Sequence, residues 1–438
     1  MRLTRLIAIR SAVSVLPVPD IEASLAEPTR RLTDVIGIGV LTRIFRRDLI
    51  DEVVESCGKT EARARLLPAR VVVYYVLALA LFYGEAYEEV MRRLVGGLRG
   101  LENWSKEWKI PTSSAISQAR SRLGEEPLKE LFRRVATPIA RPGTRGAWFH
   151  GLRVMSIDGV VIDVPDTPEN ANEFGRSRTA IAESAFPQLR LVGLAECGTH
   201  AIVAAAFGPR HVYDREYTVE LLGTLESGML MLADRGFYSY DLWKASEATG
   251  ADLLWRIKLH IDLPVKESLP DGSYLSSVAP KSMRSDIKRG KWRRIELYEI
   301  PVRVIEYTIP NRDMTKPHEV IRLVTTLLDS TEAPAPELAA LYNERWEFEI
   351  GLDEIEVHQM GRPRVLRSRS PELVRQEVWA FLLTHYAIRS FMREAADDID
   401  EDPDRLSFIR SLRVIRRQVT DQAGFSPSDP ENLDQGDN

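Results

Sequence analysis

Between residues 337 and 361 the chain reads ELAALYNERWEFEIGLDEIEVHQMG. At about 100° per residue, Tyr342, Arg345, Glu349, Asp353 and Glu356 fall within roughly an 80° arc of one helix. Leu338, Leu341, Phe348, Leu352 and Ile355 are its apolar positions. A tyrosine, an arginine and three carboxylates therefore share one stripe. A solvated face usually alternates charge signs at i,i+4, whereas here Glu349 stacks on Asp353. The stripe thus expects a positive partner, either a metal ion or a neighbouring arginine. Two more carboxylates stand at strand ends. Asp158 follows the apolar VMSI and precedes Gly159, and Asp234 follows MLMLA and precedes Arg235 and Gly236. In each case glycine lets a backbone or a ligand approach, although an aspartate beside a glycine is also an ordinary turn residue. Two unit charges about 4 Å apart repel by roughly 4 kcal/mol at an effective dielectric of about 20. Hard divalent cations with oxygen ligands relieve such repulsion. A pair of them clamps the attacking and leaving oxygens of a phosphoryl transfer.

The elements that must hold these residues follow in order. Residues 1–30 contain Pro17, Pro19 and Pro28 and read as an arm. Residues 31–146 read as helical. LTRIFRRDLIDEVVESCG ends at Gly58, a helix C-cap. VVVYYVLALALFY, 71–83, falls short of the roughly 20 residues of a bilayer span and reads as a buried helix. Thr112 or Ser113 caps a helix that carries Arg120 and Arg122 and ends at Gly124, and a second helix follows from Pro127. This pair fits a helix-turn-helix DNA reader or a plain αα-hairpin. From residue 151 the pattern turns to Val- and Ile-rich strands alternating with helices, and this domain runs to 395. Within it, 265–328 is β-rich and holds the basic run KSMRSDIKRGKWRR, 281–294. There Lys288, Arg289, Lys291 and Arg293 can neutralise phosphates, and Trp292 can stack on a base. Ser370-Pro371 opens a long apolar helix. The tail, 396–438, starts acidic, turns basic over 405–417 and ends polar.

The 438 residues carry a net charge of −5, so any nucleic-acid contact must come from local patches. Cys57 and Cys197 offer neither a disulfide framework nor zinc spacing. Arg10 interrupts the N-terminal apolar run, so no signal peptide is expected. The composition points to a reducing, cytoplasmic setting without membrane segments.

IDGVVIDVPDTPEN, LMLADRGFYSYDLW and the Tyr342-x2-Arg345-x3-Glu349 spacing resemble the three signature blocks of the insertion-element-four (IS-four) family of DDE transposases. LTRIFRRDLIDEVVES, SSAISQARSRLG and RVLRSRSPELVRQEVWAFLLTHYA extend the resemblance from about residue 33 to about 390. It implies an α/β fold, with an RNase H-like catalytic domain of mixed sheet flanked by helices. A β-rich insertion lies within that domain, and an all-α DNA-binding region precedes it. It implies cutting and joining of double-stranded DNA at element ends by two Mg²⁺ ions, with Mn²⁺ as substitute. Asp158, Asp234 and Glu349 are then the metal-binding triad, and Tyr342 and Arg345 the accompanying DNA contacts. Terminal inverted repeats and target DNA are the expected partners. A homodimer and a nucleoid-associated location are also expected.

Departures from the family pattern matter. Glu356 stands where the family has a phosphate-binding lysine, with His358, Arg362 or Arg364 as candidate substitutes. The family tryptophan that stacks on a flipped base falls on Leu323, and Trp255 reads as core. Asp163 and Asp166 read as turn residues. The alternatives to a transposase are a non-catalytic DNA-binding relic and a metal-dependent nuclease without strand transfer.

Overall fold

A computed structural model describes residues 37–63, 65–96, 109–177, 183–280, 298–309, 318–362 and 364–420. Its helices begin with α1 (Arg47–Ser56), α2 (Ala69–Leu81), α3 (Tyr87–Gly96), α4 (Ser113–Leu123), α5 (Glu126–Val135) and α6 (Pro168–Phe174). They continue with α7 (Asp214–Leu221), α8 (Tyr240–Glu247), α9 (Ala335–Leu341), α10 (Trp346–Asp353), α11 (Pro371–Asp397) and α12 (Phe408–Thr420). The strands are β1 (Trp148–Phe149), β2 (Leu152–Asp163), β3 (Gln188–Glu196), β4 (Ala201–Pro209) and β5 (Met229–Ala233). After them come β6 (Asp252–Arg256), β7 (Glu267–Ser268), β8 (Tyr274–Val278), β9 (Ile300–Ile309) and β10 (Glu319–Thr325).

Two compact units interleave along the chain, where the sequence reading draws consecutive domains. One takes residues up to Ile139, Ile162–Leu189 and the chain from Leu352 on; the other takes Ala140–Val161 and Arg190–Gly351. In the first, α2 is buried on nearly every side, which its all-round apolar sequence requires. It packs on α11, which also covers α5 and α12. Thr112 caps α4 by accepting from the Ala115 N–H at 3.3 Å. Gly124 closes the same helix at φ +74°.

In the second unit one sheet runs in the order β4-β3-β2-β5-β6-β10-β9-β8-β7, with β1 on β2. The strands β2, β5 and β6 are parallel. The β-rich stretch after residue 265 extends this same sheet, because β10 lies antiparallel on β6 with Val324 opposite Trp255. Among the described residues no helix is long and apolar enough to cross a membrane.

The stretch 337–361 does not wind as one helix. A 3-10 turn over Tyr342–Arg345 separates α9 from α10, and a π-helical turn over Glu354–Met360 follows, ending at Gly361. Side chains at i and i+3 eclipse in a 3-10 turn. Tyr342 and Arg345 therefore face inward together.

Candidate active site

The parallel pairing of β2 and β5 sets Ser156 beside Leu232 and Ile157 beside Ala233. The residues that follow are Asp158, still within β2, and Asp234, just past the end of β5. Neighbouring strands run about 4.8 Å apart, so the register alone brings two carboxylates together. They stand at the carboxyl end of β5, the edge where open parallel sheets gather ligands. All five residues of MLMLA are buried, as a central parallel strand needs. Asp234 is the first residue to leave that burial.

Glu349 arrives on α10, whose neighbouring Phe348 anchors it to β3. A Cβ at Gly193 would stand 2.9 Å from Phe348 Cζ. The glycine inside β3, which weakens a strand, is thus explained by the approach of a ring. Valine at 193 is expected to displace Phe348, and Glu349 with it, at a cost of about 1–3 kcal/mol. Calorimetry would read this as a lowered midpoint; an unchanged midpoint refutes the packing argument.

The 3-10 turn supplies the link between the carboxylates. Tyr342 and Arg345 are each 6% exposed. The Tyr342 hydroxyl donates to the Ala233 carbonyl at 3.3 Å, fastening the turn to the residue before Asp234. Ser156 Oγ donates to the Arg345 carbonyl at 3.2 Å. Arg345 Nη1 donates to Asp158 Oδ2 at 2.7 Å and Nη2 to Glu349 Oε1 at 3.1 Å. The other Asp158 oxygen accepts from the Gly159 N–H at 2.8 Å. The positive partner that the acidic stripe calls for includes its own arginine.

Burial pushes the Asp158 carboxyl above its usual range. The Gly159 N–H and the Arg345 guanidinium pull it back, while the charges of Glu349 and Asp234 push it up. Burial, and then the Asp234 charge, also raise Tyr342, which stays a neutral donor. Three carboxylates against one guanidinium leave two negative charges. Such an oxygen-only donor set fits a hard divalent cation. Arg345 Nε is buried with no hydrogen-bond partner among the described residues, so the carboxylates do not saturate the guanidinium.

Comparison with known proteins decides the family. Residues 35–133 match the family model for the insertion element 4 transposase N-terminal region, and residues 149–386 match that for the transposase DDE domain. The chain is 31% identical over 383 residues to the transposase InsG for insertion sequence element IS4 of Escherichia coli (strain K12), spanning 87% of this chain and 82% of that protein. The chain belongs to the insertion-element-four family of DDE transposases. It is also 28% identical to a putative transposase InsZ of the same organism over 218 residues, 49% of this chain and 70% of the relative. A cryo-EM structure of a piggyBac transposase synaptic complex with hairpin DNA aligns over 87% of this chain and 80% of that one, at a TM-score of 0.46 and 12% identity. This transposase thus has a helical N-terminal region and an RNase H-like DDE domain, and as a family member it acts on DNA with divalent metal.

Other expected site residues fare differently. Arg120, expected to touch DNA, is fully buried in the transposase. Its guanidinium donates to Gln376 Oε1 at 2.8 Å, the Tyr87 hydroxyl at 2.9 Å and Ser368 Oγ at 3.1 Å. This corrects the expectation: with those donors committed inside, Arg120 ties α4 to the start of α11. Arg122 is exposed. Lys288, Arg289, Lys291, Trp292 and Arg293 lie outside the described residues. Trp255 is buried and packs edge-on against Trp243 with ring centroids 5.2 Å apart, a core role. Leu323 is buried in β10. Asp163 accepts from Gln188 Nε2 at 3.0 Å, and Asp166 pairs with Arg176.

Trp346 escaped the sequence reading. It is 56% exposed, and the Arg345 guanidinium lies 4.9 Å from its ring centroid. Its signal was angular: on a helix it stands about 200° from Phe348, the anchored side.

Proposed function

We propose that this transposase cuts and joins DNA at the ends of its insertion element, with Asp158, Asp234 and Glu349 as the metal-holding triad. What carries the reading is one arrangement: register sets the two aspartates side by side, and Arg345 ties Glu349 to Asp158. The hard donor set favours Mg²⁺, with Mn²⁺ as substitute. Two such ions would polarise the scissile phosphate and lower the pKa of the attacking water.

The chain's own share is positioning. Arg345 keeps Asp158 and Glu349 turned toward one point and brings a positive charge beside the phosphate undergoing transfer. Tyr342 and Ser156 fix the turn that carries it. Water attacks phosphorus at the element end, and the 3′ oxygen leaves with a proton as a 3′-hydroxyl. That hydroxyl then attacks a target phosphodiester, whose own 3′ oxygen departs protonated. No protein–DNA bond is needed. The exposed Trp346 indole offers a stacking face for an unpaired base. Arg122 and the basic run around Lys288, Arg289, Lys291, Trp292 and Arg293 supply contacts to the terminal repeats and target. Two ends must be joined, which suits a homodimer working on the nucleoid.

Glu356 bears on affinity. Burial raises its carboxyl, and Arg364 Nη1 lies 3.4 Å from Glu356 Oε2. Lysine at 356 is expected to release Arg364 and add a cation, tightening end-binding roughly tenfold at 0.15 M salt. Fluorescence anisotropy checks it; equal or weaker binding by Glu356→Lys argues against a phosphate at this position.

The deciding experiment is incubation with a labelled duplex carrying the element's own end. Mg²⁺-dependent nicking at that end, with strand joining in the same tube, is the expected result. Nicking without joining would leave a nuclease; binding without nicking would leave a DNA-binding relic.

A further inference from the structure

The helix α12, FIRSLRVIRRQVT, carries four arginines and no acid in a chain whose net charge is −5. Its apolar side, with Phe408, Leu412, Ile415 and Val419 buried, packs on α3, α11 and the turn at Gly39–Arg43. Its opposite side presents Arg410, Arg413 and Arg417, all exposed. The i, i+3, i+7 spacing places them within roughly a 60° arc. None of the three has an ionic or hydrogen-bonded side-chain partner among the described residues. Like charges at i,i+3 and i,i+4 destabilise an isolated helix.

At its C-terminal end this face meets a cavity of about 500 Å³, lined by Phe82, Glu85, Arg93, Arg416 and Arg417 among others. Glu85 pairs with Arg93, whose guanidinium lies 5.1 Å from the Phe82 ring centroid. Arg416 Nε donates to the Leu81 carbonyl. Burial lowers the Arg416 pKa; Glu85 acts against that, and the charges of Arg413 and Arg93 add to it. One carboxylate thus stands among several guanidiniums, an environment that an anion relieves.

We propose that the arginine face of α12, with the cavity at its end, grips the phosphate backbone of duplex DNA as a sequence-independent anchor distinct from the triad. The lengths agree. From Arg410 to Arg417 the helix rises about 10 Å, over which one strand of B-DNA presents about three phosphates. The three exposed arginines match them in number, and their long side chains make up differences in reach.

The inference rests on duplex DNA being this transposase's partner, and the test separates the two. Fluorescence anisotropy of the full chain with a labelled duplex of unrelated sequence, in EDTA, gives binding against salt. For Arg410→Gln/Arg413→Gln/Arg417→Gln the slope of log K against log salt is expected to become shallower by about 2–3, at roughly 0.9 per phosphate. Affinity at 0.15 M salt is expected to fall roughly 100-fold. The triple lysine variant keeps both slope and affinity. All three side chains are exposed, so folding is expected to persist, with circular dichroism as the check. Should the triple glutamine variant misfold, Arg413→Gln alone must still lower the slope by about 0.9. An unchanged slope beside a binding wild type overturns the anchor alone. A wild type that binds no duplex overturns the DNA reading, and the anchor with it.

Discussion

Glu349→Gln is expected to abolish Mg²⁺-dependent cleavage of the element end while leaving DNA binding within about twofold. The substitution is nearly isosteric, and its amide oxygen still accepts from Arg345 Nη2, which lies 3.1 Å from Glu349 Oε1 in the wild type. Phe348, the anchor of the same helix, is untouched. What changes is charge. Three carboxylates against one guanidinium leave two negative charges; the variant leaves one, too few to hold a divalent pair against water. Metal ions supply several kcal/mol of transition-state stabilisation, and each 1.36 kcal/mol is tenfold in rate. The loss is therefore expected to reach about 10³-fold or more. Its control is internal to the site: removing the Glu349 charge lowers the Asp158 carboxyl, since that charge is one of the causes raising it. Damage confined to activity is thus expected, with the thermal midpoint kept. A denaturing gel of the labelled strand reads it. Cleavage by the variant at the wild-type rate would remove Glu349 from the triad. A wild type that binds the end and cuts in neither Mg²⁺ nor Mn²⁺ would make the chain a binding protein of transposase ancestry.

The three carboxylates were legible because each stands at a local signal: an apolar run followed by Asp-Gly or Asp-Arg-Gly, or the Tyr-Arg-Glu spacing. Only Asp234 stands at a strand end, since β2 runs on past Asp158 to Asp163. What sets Asp158 beside Asp234 is the register of Ile157 on Ala233. Those partners lie far apart in sequence, where no periodicity reports on pairing. The same blindness explains Arg120. Arginine on a short helix looks like a surface residue, and its acceptors on Gln376 and Ser368 come from 256 and 248 residues away. The helix α2 was legible as buried because it is apolar all round, a property of the segment alone. The winding of 342–360 was not, because the apolar positions Leu338, Leu341, Phe348, Leu352 and Ile355 are compatible with an unbroken α-helix. Hydrophobic spacing sets which side is buried; it does not tell 3.6 residues per turn from a short tightened or widened turn. Likewise 265–328 was legible as β-rich, but not that β10 would continue the main sheet on β6.

The second large effect is expected at Arg345. Its side chain is 7% exposed and bonded to Asp158 and Glu349. Breaking a buried pair from one side costs about 3–5 kcal/mol, and the lower end applies because Glu349 is 42% exposed and its share is screened. For Arg345→Gln we expect a destabilisation of about 3 kcal/mol and a 10²–10³-fold loss of cleavage from the missing charge and lost orientation. The pH dependence carries the sharper test. Arg345 pulls the Asp158 carboxyl down against burial. Without it the carboxyl rises further and keeps its proton to higher pH. Metal binding needs the ionised form, so the acid limb of the cleavage profile moves to higher pH. Stability moves the other way. A carboxyl raised in the folded state disfavours folding above its folded pKa, and that penalty fades as pH falls through it. Arg345→Gln is thus expected to recover part of its lost stability on mild acidification. Arg345→Lys restores a point charge without the two-pronged geometry, so its acid limb should return toward wild type while its rate stays low. The measurement is a pH–rate profile at limiting Mg²⁺ for wild type and both variants. An acid limb unmoved in Arg345→Gln would mean that the guanidinium does not set the state of Asp158, and that its place between the two carboxylates is structural only.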